Sequence, residues 1–174
     1  MDEQDGTVDA PTPAADESEL WAWDGLPGIP VSAGALVHDR AGRLLLLKPT
    51  YKSGWTIPGG VMEATETPWE ACRREVLEET GLTVTEGRLV AVDTRPAKNR
   101  KALGLRFLFD CGTVPDDRLA AIVLQPAEVS DFRFADPDEA LELLRPAVRR
   151  RVAAAVASPQ CVYLQDGMPV EGVR

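Results

Sequence analysis

The sequence predicts an α/β fold, because strand-like and helix-like segments alternate along a chain that is long enough for one domain. Of its 174 residues, 44% are hydrophobic and 27% are charged, as is usual for a globular protein. Several short apolar runs are bounded by glycine or polar clusters, which is typical of strands. Two other segments begin with a capping residue, a proline and a nearby glutamate, which is typical of helices.

The strands follow from runs of valine, leucine and isoleucine. We expect strands at residues 31–37, 43–48, 83–93, 105–113, 121–124 and 129–135. Residues 38–42 should form the turn between the first two strands, since they include Asp39 and Gly42. Residues 55–60 are expected to be a short extended piece that ends in a loop.

The first helix has three agreeing signals at its start. Thr67 can cap the N-terminus, Pro68 occupies the first helical position, and Glu70 completes a capping box. Gly81 suits the left-handed conformation that ends many helices.

A second helix start lies at Asp136-Pro137-Asp138-Glu139. We expect helices at residues 139–144 and 147–157. Near the C-terminus, residues 160–170 contain Asp166-Gly167 and are expected to form a hairpin.

The charge is distributed unevenly, which divides the chain into three parts. Residues 1–28 hold eight of the 28 acidic residues and no lysine or arginine, so the remainder has 19 basic and 20 acidic residues. We expect residues 1–28 to be a disordered acidic tail, since such a composition buries little apolar surface. Residues 29–157 should be the folded domain, and residues 158–174 a C-terminal extension. Trp21 and Trp23 could pack on the domain or on a partner.

The composition also argues against several classes of protein. The body has no basic stripe, so we expect no nucleic-acid partner. No apolar run is long enough for a transmembrane helix, and the N-terminus does not resemble a signal peptide, so we expect no membrane association. The three cysteines are far apart in sequence, which fits a reducing, cytoplasmic location.

The first helix carries three carboxylates on one face. Glu75, Glu78 and Glu79 are spaced i, i+3, i+4 and fall within an arc of about 100°. A more apolar arc lies beside it and consists of Trp69, Cys72, Val76 and Thr80. Clustered carboxylates repel each other, and a divalent cation such as Mg²⁺ would relieve that repulsion. From these residues alone, a solvated acidic face is an equal alternative.

The surrounding residues favour the metal site. Gly60 to Leu82 match the Nudix box, G-x5-E-x7-R-E-U-x-E-E-x-G-U with U aliphatic, at every specified position. The sequence therefore resembles the Nudix hydrolases, and residues 55–60 also look like the family's approach to the box. The resemblance implies the Nudix fold, an α/β/α sandwich with a mixed β-sheet.

The resemblance also implies roles for individual residues. The metal ligands would be Glu75, Glu78 and Glu79 for Mg²⁺ or Mn²⁺, with the Gly59 carbonyl as a further ligand. Arg74 and Glu66 would form an ion pair that holds the loop against the helix. Arg74 should face away from the glutamates, so we expect its partner to come from outside the helix.

Other assignments are open at this point. The general base would be Glu75 or a residue outside the box. Glu128 is our first candidate for a further acidic ligand and Asp131 the second, with a solvated loop carboxylate as an equal alternative.

Several basic residues and the histidine also have two interpretations. Gly60, Arg95 and Arg106 are the candidate substrate contacts, although a polar loop is the alternative for Arg95 and its basic neighbours. We expect Arg149–Arg151 to be a solvated helix face and His38 to be structural.

The resemblance implies a pyrophosphatase that hydrolyses a phosphoanhydride bond of a nucleotide. The substrate would be a nucleoside diphosphate linked to another moiety, such as ADP-ribose or another nucleotide sugar, or a nucleoside triphosphate. A Nudix-fold binding or regulatory module without catalysis is the alternative, although all box glutamates are present. An isomerase on this fold is disfavoured, because Cys72 lies on the apolar side of the helix. A homodimer is an open alternative to a monomer.

Overall fold

The structure is a computed structural model that describes residues 28–98 and 102–173. The acidic tail, with Trp21 and Trp23, lies outside the described residues, apart from Gly28. The basic residues Arg100 and Lys101 lie outside them as well.

Within the described residues, eight strands form one sheet in the order β6-β2-β1-β5-β4-β7-β8, and β3 pairs with β1. The strands are β1 (Val31–His38), β2 (Leu44–Pro49), β3 (Gly59–Val61), β4 (Arg88–Arg95), β5 (Gly104–Thr113), β6 (Val129–Ala135), β7 (Val162–Gln165) and β8 (Met168–Pro169). The sheet is mixed, because β1–β5 and β4–β7 are parallel pairs and the others are antiparallel.

Helices cover both faces of this sheet. They are α1 (Pro68–Thr80), α2 (Asp116–Leu119), α3 (Pro137–Leu143) and α4 (Pro146–Val156). One core cluster joins α1 to the sheet through Cys72 and Val76. The other joins α3 and α4 to the opposite face through residues such as Ala140 and Val152. The expected α/β/α sandwich with a mixed sheet is confirmed.

The ends of α1 are confirmed in detail. The Thr67 side chain accepts from the Glu70 N–H, and the Glu70 carboxylate accepts from the Thr67 N–H at 2.8 Å. Gly81 ends the helix with φ of 72° and donates its N–H to Leu77. This capping fixes where the box glutamates lie relative to the sheet.

Two predicted strands differ from the structure. The strand predicted at 83–93 begins only at Arg88, because the Val84 carbonyl accepts from the Arg73 side chain instead of pairing with a strand. Residues 121–124 form no strand. The Val123 N–H bonds to the Thr80 carbonyl at the end of α1, and Ile122 and Leu124 pack on the core there. The apolar pattern indicated burial correctly, but it does not distinguish sheet pairing from loop packing.

The segment before α1 also differs from the prediction. Gly59–Gly60 were expected to form a loop, but they lie in β3 and pair with β1. The expected extended conformation is present at Thr56, which pairs with Leu47.

The C-terminal hairpin is present and adds to the main sheet, because β7 lies parallel to β4. His38 ends β1, and its Nδ1 lies 3.8 Å from an Asp110 carboxylate oxygen. In the part of the chain that the structure describes, no helix is long and apolar enough to cross a membrane.

Candidate active site

Two glycines bring backbone against the acidic face of α1. Gly59 and Gly60 pair with Gly34 and Ala33 of β1. A Cβ atom on Gly60 would overlap the Glu75 carboxylate. Gly59 has φ of 139°, and a Cβ there would overlap the Ala33 carbonyl. Gly59 therefore requires glycine, whereas a side chain at Gly60 would displace the Glu75 carboxylate.

Glu79 is the most deeply placed carboxylate with an elevated pKa. Glu79 is 7% exposed, and its Oε2 accepts the Gly59 N–H at 2.8 Å. Burial raises its pKa to about 8, and the negative charges of Glu75, Glu128 and Glu78 add to this effect. One hydrogen bond does not offset the burial of this charge.

Glu75 lies beside it and is also buried. Its Oε1 accepts from Arg74 Nη1 at 3.0 Å. Burial nevertheless raises the pKa of Glu75, because it outweighs the attraction of Arg74, and Glu78 and Glu128 repel the ionised form. The site therefore contains two carboxylates whose charged forms lack sufficient partners.

Arg74 joins the loop to the helix. Its Nε and Nη2 donate to the two carboxylate oxygens of Glu66, at 2.6 and 3.0 Å. The structure therefore contains the ion pair that the resemblance implies. Nη2 also donates to the Val61 carbonyl at 3.1 Å, and Glu66 accepts the Glu63 N–H at 3.0 Å. These bonds close residues 61–66 onto α1.

The expectation that Arg74 faces away from the glutamates is wrong. Its Nη1 donates to Glu75 at 3.0 Å and to Glu78 at 2.9 Å, so two of its partners come from the same helix. The long side chain can reach the i+4 position as well as the loop. These acidic partners, led by Glu66, raise the pKa of Arg74, and Arg74 in turn lowers the pKa of Glu66.

Of the two downstream candidates, Glu128 lies nearer to the acidic face. It precedes β6 and is among the charges that raise the pKa of Glu75 and Glu79. Its backbone carbonyl accepts the Thr50 N–H, which holds this loop beside the end of β2. Asp131 instead accepts the N–H of its neighbour Phe132 and lies opposite Lys48 in the sheet.

The carboxylates on α1 are the candidate ligands of a metal ion. Across residues 28–98 and 102–173, no three acidic, histidine or cysteine side chains converge closely enough to enclose a metal ion. The carboxylates have other partners here: Arg74 donates to Glu75 and Glu78, and the Gly59 N–H donates to Glu79. The chemistry still fits Mg²⁺, which prefers carboxylate oxygens and whose charge would relieve the repulsion among them. Glu78 is about half exposed, so it has room to turn toward an ion.

Arg95 and Arg106, the two arginines among the candidate substrate contacts, lie on the face of the sheet opposite to α1. Arg106 shares its face with Leu108, which belongs to the core cluster under α3 and α4. It pairs with Asp93 of β4, and Arg95 follows two residues later. The structure therefore brings Arg95 and Arg106 together but places them on the face opposite to α1.

The expectation of a solvated face at Arg149–Arg151 is wrong for Arg151. Its Nε and Nη2 donate to Asp93 Oδ2 at 2.9 and 2.8 Å, and Asp93 is 1% exposed. The Gly167 N–H donates to the other oxygen of Asp93 at 2.9 Å. The available signal was an acidic residue, Asp93, at the end of the apolar run 89–92. Its partner could not be identified because it lies 58 residues away.

The chain is similar to several known proteins. The NUDIX domain model matches residues 28–156. The phosphatase NudJ of Escherichia coli is 34% identical over 149 residues, which cover 81% of this chain and 88% of NudJ. A MutT-like protein of Streptomyces ambofaciens is 35% identical over 103 residues, which cover 58% of this chain and 67% of that protein.

A solved structure shows the same fold at lower identity. It is the NUDIX domain of NrtR from Shewanella oneidensis in complex with ADP ribose. It aligns with a TM-score of 0.65 at 15% identity and covers 83% of this chain and 98% of that one.

Proposed function

The chain belongs to the Nudix hydrolase family, and on that premise we propose that it cleaves a phosphoanhydride bond in a nucleoside diphosphate linked to another moiety. Its family membership rests on the match over residues 28–156 and on the similarity to NudJ. The family generally uses divalent metal ions. The bond cleaved, the substrate and the residues that act are our proposals.

The pair of buried carboxylates on α1 is the observation that carries the proposal. Glu75 and Glu79 are both buried, and the pKa of each is raised. A purely structural helix face gains nothing from two buried charges that repel each other. A site that receives a cation together with a substrate does gain from them, because the ligand supplies the missing positive charge.

Glu75, Glu78 and Glu79 would hold Mg²⁺ or Mn²⁺, with Glu128 and the Gly59 carbonyl as further ligands. The bound ion supplies charge neutralisation at the phosphates and a water of lowered pKa. Glu78 must then leave Arg74, and the i+4 contact between them is partly exposed and therefore weak.

The other residues of the site position these groups. Arg74 holds residues 61–66 against α1 through three hydrogen bonds, and a fourth, from the Glu63 N–H to Glu66, lies within the loop. Gly60 allows the backbone to approach the carboxylates and the substrate. Glu75 is our candidate for the general base, because the raised pKa brings it closer to the range in which a base works at neutral pH.

The substrate class is a nucleotide with a second group on its diphosphate. ADP ribose, which the NUDIX domain of NrtR binds, is one member of this class. Other nucleotide sugars and nucleoside triphosphates share the same anhydride. We also propose that these small molecules, rather than nucleic acid, are the partners.

The test is a hydrolysis screen in Mg²⁺ with products identified by mass. ADP-ribose, UDP-sugars and nucleoside triphosphates cover the class. At least one should be hydrolysed, and excess chelator should abolish the reaction. Turnover that persists in chelator would contradict the mechanism. Binding of ADP-ribose without any turnover would favour the non-catalytic module instead.

A matched control separates the site from general effects of lost charge. Glu142→Gln removes an exposed carboxylate from α3, on the opposite side of the sheet. It should hydrolyse the same substrate at the normal rate, whereas Glu79→Gln should not.

A further inference from the structure

Three arginines surround one carboxylate on the α4 face of the sheet. Arg106 of β5 pairs with Asp93 of β4, Arg95 follows on the same strand, and Arg151 reaches in from α4. We call these four residues the arginine cluster. It carries three positive charges and one negative charge, so its charges do not balance among the described residues.

Asp93 cannot neutralise the whole cluster, because it carries one negative charge and its hydrogen bonds within the described residues go to Arg151 and Gly167. One oxygen accepts two N–H groups of Arg151, and the other accepts the Gly167 N–H. Asp93 is 1% exposed, so it is fixed in this arrangement. Within residues 28–98 and 102–173, neither Arg95 nor Arg106 forms an ion pair with a carboxylate within 4.0 Å.

Their hydrogen bonds reflect this excess. Arg106 donates through Nη1 to the carbonyl of Leu105. Arg95 donates through Nη2 to the carbonyl of Ala102, and its buried Nε has no acceptor in the described part of the chain. Both side chains are only partly buried, so unused N–H donors remain open to a ligand.

The electrostatics agree with this geometry. Burial lowers the pKa of Arg106, and the positive charges of Arg95 and Arg151 lower it further, against the attraction of Asp93. The positive charges of the cluster therefore outweigh the single negative charge of Asp93. A bound anion would supply further negative charge, and a phosphoryl group matches the forked donors of arginine.

The cluster lies on the face of the sheet opposite to the acidic face of α1. Ser32 of β1 pairs with Arg106 on one side and with Val61 of β3 on the other. Two strand spacings, about 10 Å, therefore separate the backbones of Arg106 and Val61. Val61 follows Gly60, which contacts the Glu75 carboxylate. The sheet therefore separates the arginine cluster from the glutamates of α1.

We propose that Arg95 and Arg106 form a phosphoryl-binding site on the α4 face of the sheet, separate from the glutamates of α1. This inference goes beyond the proposed function. The ligand would carry a phosphoryl group whose oxygens accept hydrogen bonds from the two guanidinium groups.

The test is metal-free binding, measured by calorimetry in chelator with AMP and with adenosine as the uncharged probe. Without metal, the glutamates repel phosphate, so AMP binding reports the arginines. AMP should bind at least about tenfold more tightly than adenosine, since charge-assisted hydrogen bonds are strong. Arg106→Gln and Arg95→Gln should each raise the Kd for AMP by about tenfold or more.

Two controls make the result specific. Arg88→Gln removes a guanidinium from the other end of β4, where it pairs with Asp110, and should leave AMP binding unchanged. Arg106→Lys keeps the charge but loses the fork, so it should bind AMP with an intermediate Kd. Thermal unfolding of each variant verifies that it is folded.

Two outcomes would overturn the inference. One is an unchanged Kd for AMP in both glutamine variants. The other is the absence of AMP binding to the unaltered protein at concentrations on the order of 10 mM, well above the Kd expected of a phosphate site. Neither outcome affects the proposed hydrolysis, which is tested with Mg²⁺ and Glu79→Gln. Loss of hydrolysis with AMP binding intact would instead contradict the proposed function and leave the phosphoryl-binding site standing.

Discussion

Asp93 and Glu79 are two nearly inaccessible carboxylates on opposite faces of one sheet, at 1% and 7% exposure. Asp93 accepts three hydrogen bonds, two of them from the Arg151 guanidinium. Glu79 accepts one, from the Gly59 N–H, and three other carboxylates repel it. The same chemical group is therefore fully paired on one face and deficient in partners on the other.

The difference fits a structural role for Asp93 and the ligand-binding role that we propose for Glu79. The pairing of Asp93 fastens α4 and the C-terminal hairpin to β4, because Arg151 and Gly167 come from those two elements. The shortage of partners at Glu79 is unfavourable to folding and is tolerated where a ligand later completes the site. Substitutions should therefore have opposite effects on the two faces.

The largest expected effect is on turnover at the acidic face. Glu75→Gln, Glu78→Gln and Glu79→Gln keep the shape of the side chain but remove its charge, so Mg²⁺ binding should weaken. Initial rates in Mg²⁺ should fall, by about 10²–10⁴-fold where the residue is the general base. Full rates in all three variants would exclude this face as the active site.

The second effect concerns Asp93. Asp93→Ala leaves Arg151 without its partner in a nearly buried position, which should lower the free energy of unfolding by about 3–5 kcal/mol. Urea denaturation measures this change. Asp110→Ala is the control, because its ion pair with Arg88 is more exposed and should contribute below about 1 kcal/mol. Equal losses in the two variants would show that burial of the Asp93 pair is unimportant.

A smaller effect is expected at Arg74, which supports the acidic face without belonging to it. Arg74→Ala releases residues 61–66 and leaves Glu75 without its cation, so turnover or metal affinity should fall by about 10–100-fold. Glu66→Ala should lower turnover in the same way. In the double variant the two losses should not add, because both act through one ion pair. Additive losses would reject the shared positioning role.

The sequence alone predicts the acidic face of α1 but not the ion pair of Asp93 on the opposite face of the sheet. Glu75, Glu78 and Glu79 follow one another within a turn of helix, and Thr67 and Glu70 fix where that helix begins. Local spacing is therefore enough to predict the acidic face.

Long-range pairing is not available from local spacing. Asp93 and Arg151 are 58 residues apart, and only the packing of α4 on β4 brings them together. Likewise, whether the Arg95 Nε finds an acceptor depends on which carbonyls the fold brings near it, and the described residues supply none. Residues 121–124 have the apolar composition of a strand, but they pack beside α1, where the Val123 N–H donates to the Thr80 carbonyl.

The smallest expected effect is a change in the stability of Glu79→Gln, measured in chelator. It is the most direct test of the contrast between Glu79 and Asp93. The folded protein holds the pKa of Glu79 at about 8, against the ordinary 4.5. Below pH 4.5 both the folded and the unfolded states are protonated at this group, so its burial makes no difference. As pH rises toward 8, the unfolded state ionises first and becomes relatively more stable.

Glutamine does not titrate and can still accept the Gly59 N–H. Glu79→Gln should therefore match the unaltered protein near pH 4 and exceed its Tm near pH 8, by about 2–4 °C for each 1 kcal/mol relieved. Asp39→Asn is the opposite control. Burial raises the pKa of Asp39, but hydrogen bonds from Arg43 lower it more, so this variant should lose Tm at neutral pH and not at low pH. A Glu79→Gln variant that loses Tm at pH 8 would place Glu79 with Asp93, as a carboxylate that the fold stabilises, and the case for a ligand-binding face would fail.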